Sequence, residues 1–543
     1  MTRSFLAIIG FLLVLLAQLF TLQNCATPTS PTGGERDTLG PVLLVEETTP
    51  NFQTNFKPEE IVLTFDEWVE QDQKHEIIIS PPLELGEDNR PYLRRRSLVI
   101  PLRGLKLRDS VTYVVNIGSA IKDLHEGNPT ENLRFVFATG PVLDSASVTG
   151  TLVEDFTGDP VEKGTFTLYG NLADTAATTE NPTYFAQTDE EGQFTVYNIR
   201  PGRYRAIGLV RNPGATNYFV DMGGTFKPLT VGFIDTVINV IDGQNEVGSV
   251  RLSPVPVPTK VLGVDSTDFG QLKIHVSQQA TNIDIITGRE DYLRRNDKDT
   301  LKLFYRTPAP DTIYVGQDTT FYDTLVFAGG VAPPAAPLRL EQSPSGRVNP
   351  TEGMVYLFNH PLAIIDTSLI VLTETADTLG TPLPYRYALD PDYPGILRLS
   401  AGWKENAGYN VSIFPGALTD WAGGINQDTI IRKVNADSPE KYGTLTLKLS
   451  KLDTALSYVL RLLEKDEVVP GTERYINEQA DFEVLYQGLK PATYRAEVIY
   501  DTKRNQRYDA GDFLLGRQPE VVRRFELEAL RANWEVEEEI QLE

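Results

Sequence analysis

Val111–Gly140 reads VTYVVNIGSAIKDLHEGNPTENLRFVFATG. Two short runs rich in β-branched and aromatic residues, VTYVVNIG and LRFVFATG, flank a stretch containing Asp123, Gly127, Asn128 and Pro129, residues that end strands and make turns. The pattern also occurs upstream, in Glu59–Val69 (EEIVLTFDEWV), His75–Ser80 (HEIIIS) and Ser97–Leu102 (SLVIPL). Short strands at this spacing, bounded by Pro, Gly, Asp and Asn, predict a β-sandwich.

Downstream the pattern continues. From about Ser145 come SVTGTLVED, GTFTLYG and PTYFAQTDEEGQFTVYNIRPGRYRAIGLV, in which Asp189-Glu190-Glu191-Gly192 supplies hairpin turn chemistry. SPVPVP (Ser253–Pro258) reads as a boundary, QLKIHVS and DTLKLFYRT as strands of a further β domain, and GGVAPPAAP (Gly329–Pro337) as another linker. The chain then repeats itself. TYVVNIGSAIKD around Tyr113 resembles GYNVSIFPGALTD around Tyr409, each with an Asp ten or eleven residues on, Asp123 and Asp420. VYNIRPGRYRA (Val196–Ala206) resembles YQGLKPATYRA (Tyr486–Ala496). The offsets are 296 residues between the tyrosines and 290 between Pro201 and Pro491, so a two-domain unit is expected twice with a third domain between the copies.

Cys25 is the single cysteine, and it follows the one apolar run, Phe5–Phe20, with Arg3 ahead of it and a polar stretch behind. That order is the order of a bacterial secretory signal with a lipoprotein cleavage site, although Gln23 and Asn24 depart from the usual small residues. Acyl chains on the Cys25 thiol would anchor the protein, each buried methylene contributing roughly 0.8 kcal/mol. The alternative is a retained anchor with an incidental thiol, but the run falls short of the roughly 20 residues a spanning helix needs. With one cysteine no intramolecular disulfide forms. The 74 acidic against 50 basic residues, a net charge of −24, argue against a nucleic-acid partner or an anionic-lipid surface.

The expected architecture is all-β, tandem β-sandwiches behind a lipoprotein signal and flexible tether. Its parts are a signal at 1–24, a lipidated tether at 25–40, domains at 41–142, 143–254, 255–336 and 337–438, and a last domain at 439–543 with an acidic tail, EVEEEIQLE. The post-cysteine PTGGERDTLGP, with NFKPEEIVLTFDEWV, TYVVNIGSAIKDLHEGNP and FVFATG, resembles Bacteroidota outer-membrane lipoproteins with Ig-like domains of the S-layer type. DTKRNQRYDAGDF and Arg531-Ala532-Asn533-Trp534-Glu535 resemble the closing part of the transthyretin-like, carboxypeptidase-regulatory-like module. The resemblance covers most of 25–145 and 440–535, and it implies location and architecture more than activity.

Asp501, Asn505, Asp509 and Asp512 place four oxygen side chains within twelve positions, a density that suits calcium. Lys503 and Gln506 break that pattern, one removing a ligand and repelling a cation, the other standing where glycine would permit a sharp turn; a hairpin loop with Asp side chains capping amides is the competing expectation. Asp66-Glu67 are adjacent carboxylates expected on a strand end, pointing to opposite faces. His75, His125, His275 and His360 lack metal-ligand spacing, and no nucleophile or phosphate-loop motif is present. No catalytic residues are assigned, and no cofactor beyond the lipid on Cys25 and a possible calcium. The expected function is a non-enzymatic, outer-membrane-anchored scaffold or accessory subunit that binds protein partners of an assembly or transport machine. The alternative is a carbohydrate-binding surface lipoprotein. Ala26–Ser30 are uncharged and Glu35 and Asp37 come later; the cell surface is slightly favoured over the periplasmic face.

Overall fold

The computed structural model describes residues 10, 37–57, 59–71, 77–81, 83, 85–130, 133–180, 182–211, 228–256, 259–277, 279–280, 283–307, 311–317, 320–327 and 337–542. Cys25, the apolar run other than Gly10, most of the tether and the linker up to residue 336 lie outside them, as does His75. Among the described residues no helix is long and apolar enough to cross a membrane. Strand accounts for 50% of the described residues and helix for 4%, so the cores are built from facing sheets. The fold is all-β, a series of β-sandwiches in tandem.

In the first unit, Glu60–Thr64, Ser97–Pro101 and Tyr92–Arg94 form one sheet; Ile78–Ser80, Thr112–Gly118 and Leu133–Ala138 form the other. Alternation explains their packing. Tyr113, Val115 and Ile117 of the Thr112–Gly118 strand face Ile61, Leu63, Leu98 and Ile100 across the sandwich, all at most 2% exposed. Val69–Gln71 pairs with Ile121–Asp123 at one end.

The same plan recurs from residue 340. Met354–Phe358, Ile396–Ala401 and Tyr385–Leu389 stand in the order of the first sheet, Ile370–Glu374, Gly408–Ile413 and Ile430–Ala436 in that of the second, and Leu362–Ile365 pairs with Leu418–Asp420. The motif residues occupy matching places. The Tyr113 hydroxyl accepts the N–H of Arg108 at 2.9 Å and the Tyr409 hydroxyl that of Lys404 at 2.6 Å, each five residues back. Such a bond ties a buried ring to the turn that precedes its strand.

The second and fifth units also share a plan. Ala146–Glu154 lies antiparallel to Gln193–Ile199 and parallel to Gln244–Pro254; Gly443–Ser450 lies antiparallel to Phe482–Leu489 and parallel to Glu535–Gln541. In the repeated Tyr-Arg-Ala motif, Tyr204 donates to the carbonyl of Arg200 and Tyr494 to that of Lys490, both at 2.7 Å. Between these pairs sits a third sandwich, with Val261–Asp265, Gln271–Val276, Thr300–Phe304 and Leu293–Asp297 facing Asp284–Ile286, Asp311–Gln317 and Thr320–Phe327.

Two expectations are corrected. The acidic EVEEEIQLE is not a solvated tail: Glu535–Gln541 is a strand, and Val536, Ile540 and Leu542 are buried in the last core while Glu535, Glu537 and Glu539 face solvent. Asp66-Glu67, expected on a strand end with side chains on opposite faces, lie just beyond it. They form a bend between Glu60–Thr64 and Val69–Gln71, where the Asp66 carboxylate accepts the N–H of Val42 at 2.9 Å.

Candidate functional site

The loop carrying Asp501, Asn505, Asp509 and Asp512 joins the strand Arg495–Asp501 to the strand Val522–Glu526. Asp501, 2% exposed, accepts the N–H groups of Asn505 at 3.0 Å and Gln506 at 2.7 Å. Gln506 adopts φ of 63°, the left-handed conformation for which glycine is the easier residue, and its bond to Asp501 holds that turn. Asp509 accepts from the Asn505 side-chain amide at 2.8 Å and from the Lys503 ammonium at 3.1 Å. Asp512 turns to cap the next bend, accepting from Leu514 and Leu515 at 3.0 and 3.1 Å.

A fourth carboxylate, not anticipated from the sequence, completes the loop. Glu520, 5% exposed, accepts the N–H and hydroxyl of Thr502 at 2.6 and 2.7 Å and the N–H of Asp509 at 3.0 Å. Burial pushes its carboxyl above the usual range, against the pull of those bonds. No local pattern marks it, since it lies eleven residues beyond Asp509.

These oxygens do not fit a calcium ion. Calcium takes six to eight oxygens that converge on one point. Here Asp501 and Glu520 are filled by N–H and hydroxyl donors, Lys503 holds Asp509, and Asp512 caps a separate turn. Among the described residues no group of three or more His, Cys, Asp or Glu side chains is placed to hold a metal ion.

What the loop does is dock. Its far side lies against the second unit, where the Gly511 N–H donates to Ser253 Oγ at 2.8 Å and Arg251 donates to the carbonyls of Glu520 and Pro519 at 2.9 and 3.0 Å. Gly511 is needed for the approach: a Cβ there would meet Ser253 Oγ at 2.5 Å. Gln518 donates to the Phe233 carbonyl at 2.9 Å, Phe513 meets Phe233 with ring centroids 5.7 Å apart, and Tyr508 meets Phe156 at 4.8 Å. Phe513 joins a small core of Tyr169, Ile207, Leu209 and Val231 that belongs to the second unit. Arg507 reaches the third unit, 2.8 Å from Asp284.

Beside the loop lies a buried charge cluster. Glu497, 1% exposed, sits between Arg461 at 2.5 Å and Arg524 at 2.7 Å, and Phe156 from the second unit lies under both guanidinium groups at 5.7 and 5.0 Å. Arg524 also donates to the Thr157 carbonyl at 2.7 Å. Two cations on one carboxylate leave positive charge over the ring face, which the aromatic quadrupole attracts.

The remaining candidates do not join this site. His125 lies in the turn after Asp123, His275 bonds Thr300 at 3.0 Å, and His360 is buried beside the third unit. Of the exposed aromatics, Tyr197 lies under Arg134 at 3.7 Å and Trp534 under Arg531 at 4.6 Å.

No family model matches the sequence, and no curated protein matches it either. Among solved structures, the N-terminal part of the bacterial S-layer protein SbsC is 12% identical over 30% of this chain, with a TM-score of 0.17, and this chain spans 40% of that one. A structure of native alpha-2-macroglobulin from Escherichia coli that spans domains MG0-NIE-MG1 is 10% identical over 34% of this chain and 70% of that one, with a TM-score of 0.16. A form of the major pilin subunit of Bacillus cereus is 10% identical over 73% of this chain and 99% of that one, with a TM-score of 0.14. The all-β fold rests on the strand pairing of the chain itself.

Proposed function

We propose that this chain is a non-enzymatic scaffold of Ig-like and transthyretin-like β-sandwiches, anchored to the outer membrane through lipid on Cys25, that holds surfaces for protein partners of an outer-membrane assembly or transport machine. The observation that supports this most is the dock between the fifth and second units. Buried Glu497, Asp501, Asp509 and Glu520 are engaged by guanidinium, ammonium, hydroxyl or N–H donors of the protein itself, and the loop beside Glu497 that runs through Asp501, Asp509 and Glu520 fastens two domains together. A carboxylate spent on shaping its own loop and strand is poorly placed for acid–base work, which needs a carboxyl that meets the substrate. Fixed domain geometry suits a protein whose task is to present surfaces at set positions.

Affinity purification from detergent-solubilised membranes tests the partner role: specific co-purifying proteins are expected, and recovery of the chain alone under conditions that preserve known complexes would overturn it. The anchor is tested separately. Cys25→Ala is expected to abolish incorporation of a palmitate analogue and to move the chain out of the membrane fraction, because the apolar run is short for a span. Retention in the membrane with unchanged labelling would make Phe5–Phe20 the anchor instead.

A further inference from the structure

The third and fourth units meet along a seam that is polar at its rim and aromatic at its centre. Arg295 lies 3.0 Å from Glu341 and Lys302 lies 3.9 Å from the same carboxylate. Arg306 covers Trp421 at 4.4 Å, and Phe304 packs against Tyr393 with centroids 5.4 Å apart. Gly270, with φ of 86°, brings its backbone so close to the fourth unit that a Cβ would meet Ala422 at 2.6 Å.

His360 stands at the centre of this seam, in the turn between Met354–Phe358 and Leu362–Ile365. It is 2% exposed, its ring lies edge-on to Phe304 at 5.6 Å, and a Cβ on Gly270 would be 3.6 Å from its Nδ1. Neither ring nitrogen has a hydrogen-bond partner among the described residues. A neutral imidazole tolerates this site, whereas an imidazolium would bring two N–H donors and a full charge into it without an acceptor.

We propose that His360 is a pH-sensitive latch between the third and fourth domains, closed while the ring is neutral and opened when it takes up a proton. The charged groups around it come from both units and carry both signs: Asp268 and Glu341 favour the cation, Lys273 and Arg339 oppose it. Lys273 is itself paired with Asp268 at 2.9 Å, and Glu341 with Arg295, so neither carboxylate is left to serve the imidazole alone. Tyr393 donates to the Phe358 carbonyl at 3.2 Å, and Asp420, on the strand paired with Leu362–Ile365, accepts backbone N–H groups. Burial dominates and holds the His360 ring at about 4 when the seam is closed.

The sign follows from linkage. A His whose value is depressed in the closed state contributes closure fully above its open-state value of about 6.5, and that contribution is lost as pH falls toward 4. With the ring at about 4 when closed and about 6.5 when open, the closing equilibrium should weaken by about 20-fold between pH 7 and pH 5.

The test is hydrogen exchange on the full chain in detergent, with rates divided by the intrinsic rate at each pH and read at residues 300–305 and 356–362. In the wild type, protection there should fall about 20-fold from pH 7 to pH 5, while residues 443–450 of the fifth unit stay unchanged. His360→Phe should flatten the dependence whatever its absolute protection, and His275→Gln should keep it. Flat wild-type protection, a slope that survives His360→Phe, or a slope lost in His275→Gln would each overturn the proposal.

Discussion

Asp123 and Asp420 close matching turns with different electrostatics. Burial works to raise the Asp123 carboxyl, but the N–H groups of Gly127, Glu126, Asn128 and His125 outweigh it and hold the group at about 2. Asp420 receives N–H groups from Ala422 and Gly424, its second oxygen has no hydrogen-bond partner among the described residues, and burial leaves its carboxyl above the ordinary range. The acid responses should therefore run in opposite directions. A depressed carboxyl contributes stability above its unfolded value that is lost as pH falls, here from about 4 toward 2. A raised one contributes stability only as pH falls through its folded value. Asp123→Asn should cost the first unit about 2 kcal/mol at pH 6 and remove its acid dependence, whereas Asp420→Asn should leave the fourth unit unchanged or slightly more stable. Denaturant midpoints with exchange readout at 112–118 and 408–413 would check both. The two aspartates are legible as a pair in the sequence because each follows an aromatic strand at nearly the same distance. Their difference is not, since it depends on how many backbone N–H groups the turn aims at the carboxylate.

At the scale of an element, the last strand shows where charge hides periodicity. Glu535, Glu537, Glu538 and Glu539 make the segment look like a solvated run, yet Val536, Ile540 and Leu542 fall on even positions and reach the core with Leu445, Leu447 and Leu449. Only Glu538 breaks the alternation, and it is used locally, accepting the N–H of Glu528 at 2.7 Å. Charge density and period-2 patterning thus pointed in different directions, and burial decided between them. Ile540→Ala should lower the stability of the fifth unit by about 2–4 kcal/mol. Glu537→Ala removes only an exposed pair with Lys448 and should change it by less than about 1 kcal/mol. Chemical unfolding of the two variants side by side separates a strand from a tail: a tail would leave both unchanged. By contrast, the strands around Tyr113 and Tyr204 are plain in the sequence, because β-branched and aromatic runs ended by Pro, Gly or Asp admit few other structures.

For the whole molecule, the deciding contacts join residues far apart in sequence, such as Gly511 with Ser253 and Arg524 with Thr157. No local pattern announces them; the density of Asp and Asn at 501–512 is visible, but the same density serves a metal loop or a docking loop. The choice rests on Gly511, which admits the second unit, and on Lys503, which holds Asp509. If the dock sets the arrangement of the domains, weakening it should loosen the molecule without unfolding its parts. Phe156 and Phe513 are the apolar members on either side, one beneath two guanidinium groups and the other in the satellite core of the second unit. Each Phe→Ala change should cost the interface about 2 kcal/mol, since both rings are partly buried and neither belongs to the main core of the second or the fifth unit. The double variant Phe156→Ala/Phe513→Ala should show a larger radius of gyration in solution scattering, with exchange protection at 112–118 and 443–450 retained. An unchanged radius would mean that the other seams already fix the domains and that the dock follows from their arrangement. A collapse of protection at 443–450 would instead make the interface part of the fifth core, because Glu497 and its two arginines would then need Phe156 to stay in place.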